Sequence, residues 1–198
     1  MTRSHETKRK ILNASLTLFS RKGYIGTTTR EIAHEANIAE CTIFKHFPTK
    51  LDIFETLVTS YEGFQIHLSI EDLKRLEYRD ALFFFAKNFL DMLLKNNDLV
   101  RIFLIETFSH PDKLIGLHNH LTKRADDIIT SYLTDLQKRE ILRVFDIPEA
   151  IRILKGMILF TYQANLFFPK TNTDNKPIDW DKNLSNFIDF FVNGTLKH

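Results

Sequence analysis

Residues 28–50 read TTREIAHEANIAECTIFKHFPTK, and the spacing within this stretch predicts two short helices with a tight turn between them. Thr28, followed three residues later by Glu31, has the form of a capping box, which satisfies free amides at a helix start. Ile32, Ala33 and Ala36 then share one helical face. Asn37 follows at once, and asparagine tolerates the left-handed backbone better than other residues with a side chain, so the chain can reverse there. A second short helix runs from about Ala39 to His46. It stops because Phe47 precedes Pro48 and is pushed towards extended geometry. Thr49 caps a longer helix from about Lys50, with Leu51, Phe54, Leu57 and Val58 facing inward. Two short helices joined by a tight turn give the outline of a helix-turn-helix.

On the N-terminal side, Ile11, Ala14 with Ser15, and Leu18 with Phe19 mark one face of a helix over about Thr7 to Lys22. Gly23 ends it in the left-handed conformation, with Arg21 and Lys22 placed to complement the carbonyl end of the dipole. On the C-terminal side, the five prolines (48, 111, 148, 169 and 177) all fall between segments of helical period. The expected fold is all-α with about nine helices: a three-helix head in residues 1–50 and a helical bundle in residues 51–198. The clearest polar loop is PKTNTDNKP, residues 169–177.

Charge divides along the same line. Residues 1–50 hold nine basic and four acidic side chains, a net of +5, which leaves −3 for the rest of a chain of net charge +2. A basic head on a mildly acidic body points to a polyanion at one end. A single cysteine, Cys41, excludes an internal disulfide and suits a reducing compartment. The longest apolar run, Gly156 to Phe168, is interrupted by Gln163 and Asn165 and is shorter than the ~20 residues of a membrane span. Asn13, Ser15 and Thr17 break what could pass for a signal sequence, so the first helix reads as part of a mature cytoplasmic protein.

Catalytic patterns are missing: there is no glycine-rich phosphate loop, no Gly-x-Ser-x-Gly, and no cysteine and histidine arrangement suited to nucleophilic catalysis. His118 and His120 point to different faces of a helix, and Glu106 with His110, or Glu31 with His34, are lone pairs, so no metal and no cofactor are expected. The chain does not read as an enzyme.

The run Ile11-Leu12-x-Ala14-Ser15-x-x-Leu18-Phe19, then Gly23-Tyr24, Thr27-Thr28, Glu31-Ile32-Ala33, Ala36-Asn37-Ile38, Thr42-Ile43-Phe44-x-x-Phe47 and Lys50-x-x-Ile53-Phe54 resembles the DNA-binding domain of TetR-family transcriptional regulators. The resemblance covers about the first 55 residues and implies a DNA-binding set. Thr28 and Thr29 fall at the helix start that meets phosphate. Glu40, Thr42, Phe44, Lys45 and His46 fall on the helix that reads bases and backbone, and Lys50 matches a phosphate-contacting lysine. The chain departs from the family's pattern at Asn37 (usually glycine), Cys41 (usually glycine or another small residue) and Phe44 (usually tyrosine, with a hydroxyl for phosphate). Glu40 is repelled by phosphate unless it accepts a hydrogen bond from the cytosine N4 amino group.

The body holds most of the 18 phenylalanines. Aromatics at helical spacing are core by default, yet their number suggests a pocket for a small apolar or aromatic effector, lined by Phe64, His67, Phe85, Phe89, Phe103, Phe108, His118 and Tyr162. The last two helices, from Asp146 to Phe168 and from about Asp179 to Lys197, carry apolar residues most of the way round. Pairing with their symmetry mates through Ile151, Leu154, Ile158, Phe187 and Phe191 is therefore expected. The implied protein is a homodimeric regulator of double-stranded DNA, binding a palindromic operator, most naturally as a repressor released by its effector. The competing expectation is a DNA-tethered adaptor that recruits a protein and has no small-molecule switch.

Overall fold

The structure, a computed structural model, describes residues 3–60, 68–109, 111–167 and 178–197. Among them are ten helices, one more than the sequence suggests, and no strand beyond one isolated bridge. The chain divides into two compact units, residues 1–65 with 96–121 and residues 66–95 with 122–198. The functional boundary expected at residue 50 falls inside the first of these packing units.

The first unit contains α1 (Arg3–Lys22), α2 (Thr29–Glu35), α3 (Glu40–His46), α4 (Lys50–Ser60), α7 (Asn97–Ser109) and the start of α8 (Pro111–Lys138). Helix α1 is its hub and packs on α2, α4 and α7. Ile11, Phe19, Ile32, Ile43, Ile53 and Phe54 are each at most 1% exposed. Burying an aliphatic or aromatic side chain of this size contributes roughly 1.5–3 kcal/mol, so six such residues give a small head a core of its own. Helix α1 starts four residues earlier than the apolar pattern shows. Its first turns are polar, and a Glu6 to Lys10 pair at 3.3 Å supports the helix there without burying anything. In α4 the inward face holds Ile53 as well as Phe54, Leu57 and Val58, while Leu51 is half-buried.

The second unit contains α5 (Ile70–Lys74), α6 (Tyr78–Lys95), the remainder of α8, α9 (Ile147–Phe167) and α10 (Trp180–Thr195). Helix α6 packs on both α9 and α10, which also touch each other, and α5 leans on α6. The short α5 was not anticipated; Ser69 caps it by accepting from the Asp72 amide. Polar ties fix the register of these helices. The Tyr78 and Thr195 hydroxyls meet at 2.7 Å in the interior, Arg79 donates to Asp189 and Ser185, and the Lys155 ammonium sits 2.7 Å from Asp126. After α8 the chain turns at Glu140, φ 58°, and Leu142 forms a bridge with Leu196.

Ile151, Leu154, Ile158 and Phe191 are at most 7% exposed within a single chain, so a second copy has almost nothing left to bury on them. Phe187 is half-buried. Because apolar residues nearly encircle α9, its periodicity cannot say which face is inside; packing on α6 decides it. Among the described residues, the outward large apolar side chains are Ile153, Phe160 and Phe167 on α9 and Phe190 on α10, at 53%, 73%, 38% and 76% exposure.

Candidate nucleic-acid interface

Helices α2 and α3 are held at a fixed angle by the turn between them. Ala36 ends α2, Asn37 takes φ 53°, and the amides of Asn37 and Ile38 donate back to the carbonyls of His34 and Ala33. This two-bond closure is what a left-handed residue after a helix makes possible. At the other end of α2, Thr28 accepts from the Glu31 amide, and the Glu31 carboxylate returns to the Thr28 amide. The same carboxylate accepts from Lys22 at 2.6 Å. These bonds hold its pKa at about 2, with the Lys22 hydrogen bond the largest cause and the two from Thr28 next.

Ile43 and Phe47 anchor α3 to the core at 0% and 3% exposure. One turn apart on the inner face, they oblige Cys41, Phe44 and Lys45 to face outward, and all three are exposed. Thr42 and His46 lie half-buried on the flank. Phe44 presents an aromatic ring where an apolar group can meet a thymine methyl, and Lys45 brings charge suited to phosphate. Lys8 on α1 lies 5.8 Å from the centroid of the Phe47 ring, adding a basic side chain behind α3.

Two of the expected DNA contacts are tied to each other. The Thr29 hydroxyl donates to Glu40 Oε1 at 2.7 Å, linking the start of α2 to the start of α3. This bond fixes the carboxylate's position and draws the hydroxyl into the protein. Lys50 is also engaged within the chain. Its Nζ donates to the carbonyls of Tyr24 and Thr27 at 2.6 and 2.7 Å and lies 4.3 Å from the Tyr24 ring centroid. It therefore closes the loop between α1 and α2. Sequence reasoning did not single out Arg30, exposed beside Thr28 and Thr29 in the first turn of α2. Its positive charge next to the helix start was the available signal.

The residues expected to bind an effector belong to both units. Phe85 and Phe89 on α6 and Tyr162 on α9 are buried in the second unit, on helices that pack together. Phe103, also buried, belongs to the first unit. Phe64 and His67 lie outside the described residues, as do the side chains of Phe108 and His118.

Comparison with known proteins bears directly on the head. Residues 11–57 match the family described as bacterial regulatory proteins, tetR family. YvkB of Bacillus subtilis, an HTH-type transcriptional regulator, is 26% identical over 155 residues, which cover 77% of this chain and 79% of YvkB. IcaR of Staphylococcus aureus, a negative transcriptional regulator of the icaADBC biofilm operon, is 34% identical over 84 residues, 42% of this chain and 45% of IcaR. NalD of Pseudomonas aeruginosa, the secondary repressor of the MexAB-OprM multidrug efflux pump, shares the fold with a TM-score of 0.69 at 20% identity, over 98% of each chain.

Proposed function

From a head that matches the tetR family over residues 11–57, we propose that the chain is a TetR-family regulator that acts as a homodimeric, sequence-specific repressor in the cytoplasm, released from DNA by a small apolar or aromatic effector. The observation that carries the DNA-reading part is the outward face of α3. Cys41, Phe44 and Lys45 are exposed on a helix pinned by Ile43 and Phe47, within a segment of net charge +5. Phosphate contacts from Thr28, Arg30 and Lys45 supply most of the affinity. Glu40, Thr42, Phe44 and His46 supply the preference for particular bases.

Dimerisation is assigned to the outward apolar face of α9 and α10, around Ile153, Phe160, Phe187 and Phe190. A twofold pair presents two α3 helices to successive major grooves about 34 Å apart and selects a palindrome. Residues 51–198 then serve dimerisation and effector binding, and residues 1–50 serve DNA. The aromatic interior, with Phe85, Phe89 and Tyr162 on adjoining helices, supports an apolar or aromatic effector. Such a ligand releases DNA only to the extent that it prefers a body conformation in which the heads are wrongly spaced.

Selection of bound duplexes from a random pool by the purified protein tests this reading. The expected outcome is a palindrome with half-sites about one helical turn apart. Failure to enrich any sequence at low salt would remove the function. No release of the selected DNA by a panel of aromatic compounds would remove the effector alone.

A further inference from the structure

The loop between α1 and α2, residues 23–28, is gripped from two sides. From α4, Lys50 donates to the carbonyls of Tyr24 and Thr27. From α7, Glu106 Oε1 accepts from the Tyr24 amide at 3.1 Å. An ammonium on the carbonyl side and a carboxylate on the amide side of Tyr24 both reinforce the loop's peptide dipoles. Within the loop, the Thr27 hydroxyl donates to the Gly23 carbonyl at 2.8 Å, and Gly23 has φ 75°. A Cβ on Gly26 would lie 2.4 Å from the Lys22 carbonyl oxygen, so the chain has a single tight path here. The loop ends in Thr28, the cap of α2.

Glu106 is out of place as a packing residue. It is 4% exposed, and its second oxygen, Oε2, has no hydrogen-bond partner among the described residues. A buried carboxylate with a half-satisfied head is a poor way to stabilise a helix, because desolvation of the charge opposes its one bond. Its contact is with a single amide, 82 residues away in sequence, at the base of the loop that delivers α2.

We propose that Glu106 is a positioning residue for DNA recognition: its carboxylate holds the Tyr24 amide, so that the 23–28 loop presents the N-terminal turn of α2 in the form that meets the phosphate backbone. This rests on the reading of the head as a DNA-binding unit. Glu106 lies outside the part of the chain with the family's sequence pattern and acts through Tyr24 and Thr28, touching no nucleic acid itself. Ordering the loop before binding removes an entropic cost from complex formation without adding a phosphate contact. Loss of Glu106 therefore weakens binding but leaves its salt dependence unchanged, since that slope counts the phosphates neutralised.

The test compares wild type, Glu106→Gln and Glu106→Leu on the duplex selected by wild type, at a temperature where all three are folded. Amide hydrogen exchange is followed on the free proteins. Glu106→Gln keeps an acceptor for the Tyr24 amide and is expected to bind as wild type. Glu106→Leu is expected to bind roughly tenfold more weakly, with the same slope of log affinity against log salt. Exchange at Tyr24 and Thr28 is expected to speed up in the leucine variant while α1 and α4 stay protected. Unchanged exchange in Glu106→Leu overturns the proposal, whatever the DNA result. Faster exchange with wild-type affinity, or equal weakening by both substitutions, also overturns it. A wild-type protein that binds no duplex overturns the DNA reading and the positioning role with it. Slow exchange at Tyr24 in wild type and fast exchange in Glu106→Leu would then leave only a structural latch.

Discussion

At the scale of single residues, Glu31 makes a pH-dependent contribution whose sign follows from its partners. Lys22 and Thr28 lower its pKa from 4.5 to about 2 in the folded chain. A carboxylate that is more acidic folded than unfolded adds stability fully above its unfolded value, and that stability is lost as pH falls through the folded one. The capping box should therefore weaken between pH 4.5 and about 2. Glu31→Gln removes the titrating group, so its unfolding midpoint should change less with pH across that window than that of wild type. Urea unfolding at several pH values measures this, and parallel profiles for the two proteins would refute it. The capping box was legible because its two halves sit three residues apart. The Thr29 to Glu40 bond and the grip of Lys50 on the loop were not legible. Each joins side chains to groups 11 to 26 residues away whose approach depends on the packed head.

Helices separate into those whose pattern determines their burial and those whose pattern does not. In α2 the apolar residues Ile32 and Ala33 are the buried ones, so the sequence alone locates the inner face, whereas in α3 Ile43 is buried and its apolar neighbour Phe44 is exposed. Asn37 marks the turn, and its positive φ confirms why asparagine can stand there. In α9 the apolar residues surround the axis, and the choice of inner face rests on which side meets α6. This is why four of the residues expected at an interface, Ile151, Leu154, Ile158 and Phe191, lie buried within a single chain. Leu154 is 1% exposed in a single chain. Leu154→Ala should cost about 3 kcal/mol of stability through lost burial and a residual cavity. Sedimentation of the folded protein should show the oligomeric state of wild type. An oligomer that dissociates in this variant, with its unfolding midpoint unmoved, would return Leu154 to the interface.

For the whole molecule, the proposed pairing turns on what a single chain leaves exposed. Ile153 and Phe160 are a helical heptad apart on α9, and Phe190 adds a third large apolar group on α10. Among the described residues nothing lies within 4 Å of where a Cβ would stand on Gly156 or Gly194, so these helices also have open positions where a second backbone can come close. A stable pair needs about 800 Å² buried per partner, more than three side chains provide, so the half-buried Met157 and Phe187 must join them. Phe160→Glu combined with Phe190→Glu places like charges on the twofold surface without touching the chain's own core. Sedimentation should then give the mass of one chain, while far-UV circular dichroism stays that of the wild type. Affinity for a palindrome should fall steeply, because two linked heads bind as one event and two separate heads do not. A single half-site should be bound as before, since α3 and its supports are untouched. If the double variant still sediments as a pair, the partner surface lies elsewhere, and the spacing of the two reading helices would have to be derived from that other contact.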